Sequence, residues 1–213
     1  SGVGLTELSR RNDNPFLDRA TDSTDPLGSV FKILTMAAAL ETKTFTPDSE
    51  YTCNGYFEEL PGFTGHDWTV DKELPPHGTL TLMQGLERSC NPFFWHIGLT
   101  LFDQGFPRAL PDMAKGFGLG QATGIEIGES QGLVPDPEWK KANVGADWSA
   151  GDSVQLAIGQ ASLGVTPLQV ARFVAAVGNG GALEDETGRG GGRRGGGGGG
   201  CLDRRGGAAV RAE

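Results

Sequence analysis

The chain has no apolar run approaching the roughly 20 residues that a membrane-spanning helix requires, and it does not open on a secretory leader. Cysteine is scarce. Cys53, Cys90 and Cys201 are an odd number, at spacings that fit neither a zinc motif nor a dithiol redox motif. Cys90 reads as a small buried residue rather than a reactive thiol. Histidine is equally sparse. His66, His77 and His96, even grouped with Cys53, Asp67 and Cys90, lack regular ligand spacing, so no metal is expected. A basic excess is missing too. Lys and Arg number 18 against 27 Asp and Glu, for a formal charge of −9, which argues against nucleic acid as a partner.

At 213 residues the chain is long enough for one domain with a true core. Its composition is uneven. Residues 1–183 are globular in character. Residues 184–213 hold 12 of the 35 glycines, six of them consecutive at 195–200, with six arginines and five acids. Such a segment buries too little surface to offset its chain entropy and is expected to be disordered. Its arginines suggest RNA, but no aromatic side chain accompanies them to stack bases.

Element signals are clearest where caps and prolines fall. A strand is expected around residues 3–8. Asn12-Asp13-Asn14-Pro15 marks a turn. A helix is expected from Ser29 to about Glu41, with alanines at 37–39 on several faces, as in a buried central helix. Residues 45–78 read as loops and short strands. A helix at 81–88 stops at Ser89-Cys90-Asn91, and another follows with Asn91 as its N-cap and Pro92 at its first position. A short helix is expected within 107–117. Residues 121–152 read as irregular, and Val154–Gly164 as an apolar stretch punctuated by glycine. Thr166-Pro167 opens a last helix, which ends at a left-handed stop, Asn179-Gly180-Gly181. The four tryptophans, Trp68, Trp95, Trp139 and Trp148, are expected in the core or lining a groove.

The chemistry concentrates at Ser29-Val30-Phe31-Lys32. Positions i and i+3 share a helix face, so a hydroxyl nucleophile and an amine base lie one side chain apart. The start of the helix also points unpaired N–H groups and positive dipole toward whatever the serine attacks. A lysine acting as base must be neutral, which calls for burial and a nearby positive charge to lower its pKa.

Sixty residues on from Ser29, Ser89-Cys90-Asn91 sits between two helices. Together with Ser29-x-x-Lys32 it resembles two of the three motifs of penicillin-binding proteins and serine β-lactamases. Asp18-Arg19-Ala20, Pro26-Leu27-Gly28 and Pro92-Phe93-Phe94 narrow the resemblance to class B penicillin-binding proteins. Thr123-Gly124-Ile125-Glu126, Gly128-Glu129, Gly132-Leu133-Val134-Pro135, Glu138-Trp139-Lys140, Gly159-Gln160, Val165-Thr166-Pro167-Leu168-Gln169 and Asn179-Gly180-Gly181 are similar to its elongation-type (PBP2-like) branch.

The resemblance implies an α/β (α+β) fold, with a helical lobe packed on an antiparallel sheet that this chain only partly supplies. It implies D,D-transpeptidation of peptidoglycan stem peptides, with β-lactams as covalent inhibitors and no cofactor. The implied roles are nucleophile for Ser29, with its N–H as one oxyanion donor, base for Lys32, proton relay for Ser89, and holder of lysine and substrate for Asn91. It further implies a glycosyltransferase partner and an N-terminal membrane anchor on the extracytoplasmic face. The pattern breaks at the third motif, since no Lys-Thr-Gly occurs. Residues 1–183 are therefore expected to be a partial transpeptidase domain, truncated at both ends, with 184–213 a frameshift product. A β-lactam sensor, a D,D-carboxypeptidase or β-lactamase, and an inactive fragment remain alternative readings.

Overall fold

The computed structural model describes Gly4, Glu7, Arg10 and residues 14–183. The strand expected near residues 3–8 falls largely outside the described residues, and segment 184–213 lies wholly outside them.

A 3-10 turn, Gly28–Phe31, runs directly into helix α1, Lys32–Glu41. There follow β1 (Glu50–Cys53), β2 (Tyr56–Phe57), β3 (Gly65–His66), α2 (Trp68–Asp71), β4 (Gly78–Thr81), α3 (Leu82–Glu87), α4 (Asn91–Asp103), α5 (Ala109–Gly116), α6 (Pro137–Asn143), α7 (Ala150–Leu156) and α8 (Pro167–Gly178). β1 pairs antiparallel with β4, Glu50 opposite Thr81 and Cys53 opposite Gly78. β2 pairs antiparallel with β3. The fold is α+β, with helices predominating over two small antiparallel sheets among the described residues. No helix among them is long and apolar enough to cross a membrane.

Local sequence explains most helix starts. Thr81, Ser149 and Thr166 each close a capping box with the residue three positions on, satisfying N–H groups that the first turn leaves free. Three segments differ from expectation. Residues 121–152, read as irregular, contain α6 and the start of α7. Pro137 occupies the first position of α6 and Asp136 caps it, its Oδ1 accepting from the Trp139 N–H at 2.6 Å. The apolar stretch from Val154 begins inside α7, and residues 45–78 include the short helix α2.

The core forms around α1 and α4. Phe93, Phe94, Ile97 and Leu101 of α4 join Phe31, Leu34, Ala38 and Ala39 in the main cluster. Trp95, on the other side of α4, packs with Phe57 and Val154 in a second one. A helix apolar on both sides must be covered on both sides, and α7 provides much of that cover. Gly98 makes the approach possible. A Cβ there would lie 2.7 Å from the Ser153 carbonyl oxygen and 2.8 Å from the Ala157 Cβ. α1 is tied to the same region, since buried Thr35 donates its hydroxyl to the Ala157 carbonyl at 2.8 Å.

We predict that Gly98→Ala lowers stability by about 1 kcal/mol in urea unfolding, because overpacking costs roughly 1–3 kcal/mol. Helix propensity alone predicts the opposite sign, a gain of about 1 kcal/mol. A stabilised Gly98→Ala would mean that α4 and α7 are not packed this closely.

Candidate active site

The turn that carries Ser29 is fixed from behind. Gly28 has φ +59°, in the left-handed region. Its N–H donates to the Gly159 carbonyl at 3.0 Å. Gly159 is itself left-handed at φ +71°, and a Cβ there would sit 2.3 Å from the Gly28 oxygen. Only glycine fits such a conformation and such an approach together. Just upstream, Asp25 and Val165 exchange backbone hydrogen bonds of 3.1 and 3.0 Å. The chain ahead of Ser29 is thereby stitched to residues 159–165. Ser29 itself is exposed at the start of the helical run.

Lys32, one turn further, is fully buried. Its Nζ bonds to the Ser89 carbonyl oxygen at 2.7 Å, the Ser89 Oγ at 3.0 Å and the Asn91 Oδ1 at 2.6 Å. It also lies 5.4 Å from the centre of the Phe94 ring. The amine thus bonds to the Ser89–Asn91 turn rather than to Ser29, although the sequence spacing anticipated a direct Ser29–Lys32 pair. Catalytic hydrogen bonds that are long in a free enzyme commonly tighten when substrate arrives. Burial pushes the Lys32 pKa from its usual 10.5 down to about 8. Among the described residues, none of the charges acting on Lys32 assists the shift. The charge that acts on Lys32 is the Asp67 carboxylate, which works against the shift. Near neutral pH a usable fraction of the amine is therefore unprotonated. Two of its contacts are to carbonyl oxygens, which only accept, so the neutral amine keeps its N–H bonds there. Its lone pair is left facing a hydroxyl.

Asn91 does not cap its helix as expected. Cys90 holds the N-cap position of α4 without a side-chain cap bond, and the Asn91 amide oxygen is committed to Lys32. The backbone is anchored by a residue that spacing did not flag as part of the site. Asp67, fully buried, accepts the Asn91 N–H on Oδ1 at 2.8 Å and the Thr69 hydroxyl on Oδ2 at 3.1 Å. His77 Nε2 lies 2.9 Å from Asp67 Oδ2, off the line of a well-formed hydrogen bond. A lone Asp at the end of a two-residue strand carries no periodicity; its partners come only from tertiary packing. Among the described residues no group of three or more His, Cys, Asp or Glu is arranged to hold a metal ion.

Ser89 is strained. Its φ is +54°. Its N–H bonds to the Leu86 carbonyl, and the Cys90 N–H bonds to the Gly85 carbonyl, both at 3.0 Å. That is the Schellman pattern closing α3, with serine at the left-handed position that glycine usually takes. Such a conformation costs a non-glycine residue roughly 1–2 kcal/mol and is found where function requires the side chain. An open groove of about 610 Å³, with Trp68, His77, Arg88 and Ser89 among its lining residues, runs past this turn. Trp68 lines it, whereas Trp95 is in the core.

A serine at the head of a helix, a buried lysine one turn on, and a second serine with an asparagine amide on that lysine are the arrangement of Ser-x-x-Lys acyl-transfer proteins. Residues 5–185 match the penicillin binding protein transpeptidase domain, and the chain belongs to that family. It is 29% identical over 189 residues to the peptidoglycan D,D-transpeptidase MrdA of Acinetobacter baumannii, covering 85% of this chain and 27% of that protein. It is 32% identical over 180 residues to MrdA of Haemophilus influenzae, covering 83% of this chain and 26% of that one. Among solved structures, it is similar to Helicobacter pylori PBP2 in complex with MreC, with TM-score 0.77, 28% identity, and coverage of 86% of this chain and 34% of that one. The chain spans about a quarter of the length of the curated relatives it matches. The PBP2-like branch anticipated from the motifs agrees with these relatives.

The strain at Ser89 predicts that Ser89→Gly is more stable than Ser89→Ala by about 1 kcal/mol, because only glycine relieves a left-handed position. Paired urea unfolding curves measure the difference. Equal stabilities would refute the strained turn.

Proposed function

We propose that this chain carries the acylating groups of a penicillin-binding D,D-transpeptidase acting on D-Ala-D-Ala peptidoglycan stem peptides. The observation that carries this reading is the buried Lys32 amine held between Ser89 and Asn91 one helical turn from Ser29. Neutral Lys32 takes the Ser29 proton as the hydroxyl oxygen attacks the carbonyl of the terminal peptide bond. The Ser29 N–H at the helix head stabilises the developing oxyanion. The proton then passes through Ser89 to the leaving D-alanine amine, and an acyl-enzyme remains on Ser29. An acceptor amine from a second stem peptide displaces the serine and completes the cross-link. With a β-lactam the scissile amide lies in a ring, so the leaving amine stays attached and the acyl-enzyme persists. Asn91 Oδ1 is occupied by Lys32, which leaves its amide N–H groups for the substrate backbone. No step requires a cofactor.

A hydrolytic reading needs a carboxylate free to activate water at the acyl-enzyme. Asp67, the carboxylate beside this cluster, is buried with both oxygens engaged by Asn91, Thr69 and His77. That arrangement favours transfer to an amine over hydrolysis.

Within the same reading, residues 1–183 form the transpeptidase portion and 184–213 a separate segment. The Helicobacter pylori relative was solved with MreC, and another similar chain comes from a peptidoglycan synthase complex. Both support placing this protein in cell-wall elongation beside a peptidoglycan-polymerising partner, and the family resemblance adds attachment to the membrane on its extracytoplasmic face.

Labelling with a fluorescent penicillin tests the reading. The 213-residue chain is expected to label, and Ser29→Ala to lose the label entirely. Ser89→Ala is expected to slow acylation by about 10²-fold, the lower end for a positioned proton-transfer group. Label surviving in Ser29→Ala, or none in the unaltered chain, would overturn the assignment. The rate should rise with pH through a midpoint near 8, because Lys32 acts in its deprotonated form and its pKa is lowered to about 8. A rate that falls over that interval would remove Lys32 as base.

A further inference from the structure

Transfer to an amine needs a second substrate, and the groove past the Ser89 turn is open to one. Trp68, Leu74, Pro75, Glu87, Arg88 and Ser89 are among its lining residues, around a volume of about 610 Å³. Small-molecule sites commonly have volumes of this order. Trp68 is 40% exposed and Leu74 50%, so large apolar side chains here face solvent. Trp68 is nonetheless held in place. Its indole N–H donates to the Arg88 carbonyl oxygen at 3.1 Å, and its ring centre lies 5.6 Å from that of His77. An aromatic ring fixed in advance gives up little freedom when a ligand covers it. The groove also carries two formal charges of opposite sign, Glu87 and Arg88. Neither is in a salt bridge with another described residue.

Ser89 connects the groove to the chemistry, since its Oγ lies 3.0 Å from Lys32 Nζ. In the acylation step above, the leaving amine takes its proton through Ser89. By microscopic reversibility the acceptor amine gives up its proton along the same route, so it must arrive beside Ser89. We infer that the Trp68–Arg88 groove is the acceptor subsite. Its ligand is an aliphatic chain ending in an amine and a carboxylate on one carbon, the side-chain end of a diaminopimelate residue rather than of a lysine. The inference rests on the transpeptidase reading. The methylenes lie against Trp68, Leu74 and Pro75. The carboxylate meets the Arg88 guanidinium, a strong charge-assisted pairing, and Glu87 draws in the ammonium form of the free amine. A lysine-type acceptor offers Arg88 nothing. Once deprotonated, the amine attacks the Ser29 ester carbonyl. The C–N bond forms, the C–O bond to Ser29 breaks, and the amine's proton reaches the Ser29 oxygen through Ser89 and Lys32.

The test titrates the 213-residue chain, with its tryptophans labelled with 15N, with meso-diaminopimelate. The indole N–H signals are followed, and Trp68→Phe assigns that of Trp68. The expected result is a saturable shift of the Trp68 signal. Affinity should fall about tenfold in Arg88→Ala, and about tenfold for cadaverine, the same diamine without its carboxylates, because each change removes a hydrogen bond between charged groups. No saturable shift, an unchanged affinity in Arg88→Ala, or cadaverine bound equally well would overturn the proposal. Competition separates acceptor from donor. Diacetyl-L-lysyl-D-alanyl-D-alanine, a donor mimic with no free amine, should leave the titration unchanged. Displacement of diaminopimelate by it would make the groove a donor subsite and overturn the acceptor role. Penicillin labelling of the same samples reads the acylating groups separately. Ser29 label without the Trp68 shift would remove the acceptor subsite and leave the transpeptidase reading standing. The shift without label would sink that reading, and the acceptor role with it.

Discussion

The site depends on one buried amine. Lys32 is fully buried, and its position is set by two carbonyl oxygens and a hydroxyl from a single turn, Ser89–Asn91. Burying an ammonium is costly unless it is paired and hydrogen-bonded, so the fold answers in two ways. Hydrogen-bond acceptors surround the amine, and desolvation moves its pKa close to neutrality. The Asp67 carboxylate limits that movement. A lysine without it would be a weaker base at neutral pH, and one more exposed would stay protonated.

Backbone conformations open mainly to glycine occur at three positions around that amine. Gly28 and Gly159 meet backbone to backbone behind the Ser29 turn, both left-handed. Ser89 occupies a left-handed position without glycine's freedom. Asp67 spends its buried charge on the N–H of Asn91. Each feature gives up some local stability to hold Ser29, Lys32 and the Ser89 turn in a fixed relation, and the packed core of α1, α4 and α7 supports the expense. The close approach at Gly98 belongs to the same support.

Much of this was legible in the sequence because it is local. Ser29 and Lys32 share a helical turn, and Ser89 and Asn91 flank one residue. Thr166-Pro167 announced α8 through capping chemistry that acts over three residues. What escaped detection is tertiary. Asp67, 24 residues before Asn91, and His77, ten residues further on, meet the site only because α2 and β4 fold onto it. Residues 121–152 read as irregular, whereas Pro137 at the first position of α6 promotes a helix there. Asn91 has the residue type of a cap, yet its amide is drawn inward by Lys32, a partner 59 residues away.

The central claim is that Lys32 is a buried amine poised to lose its proton near neutral pH. Titrating the chain with its lysines labelled with 13C at Cε, and assigning Lys32 by comparison with Lys32→Arg, measures that directly. The account predicts a Lys32 midpoint near 8. A midpoint at about 10.4, the value of an ordinary solvated lysine, would contradict it.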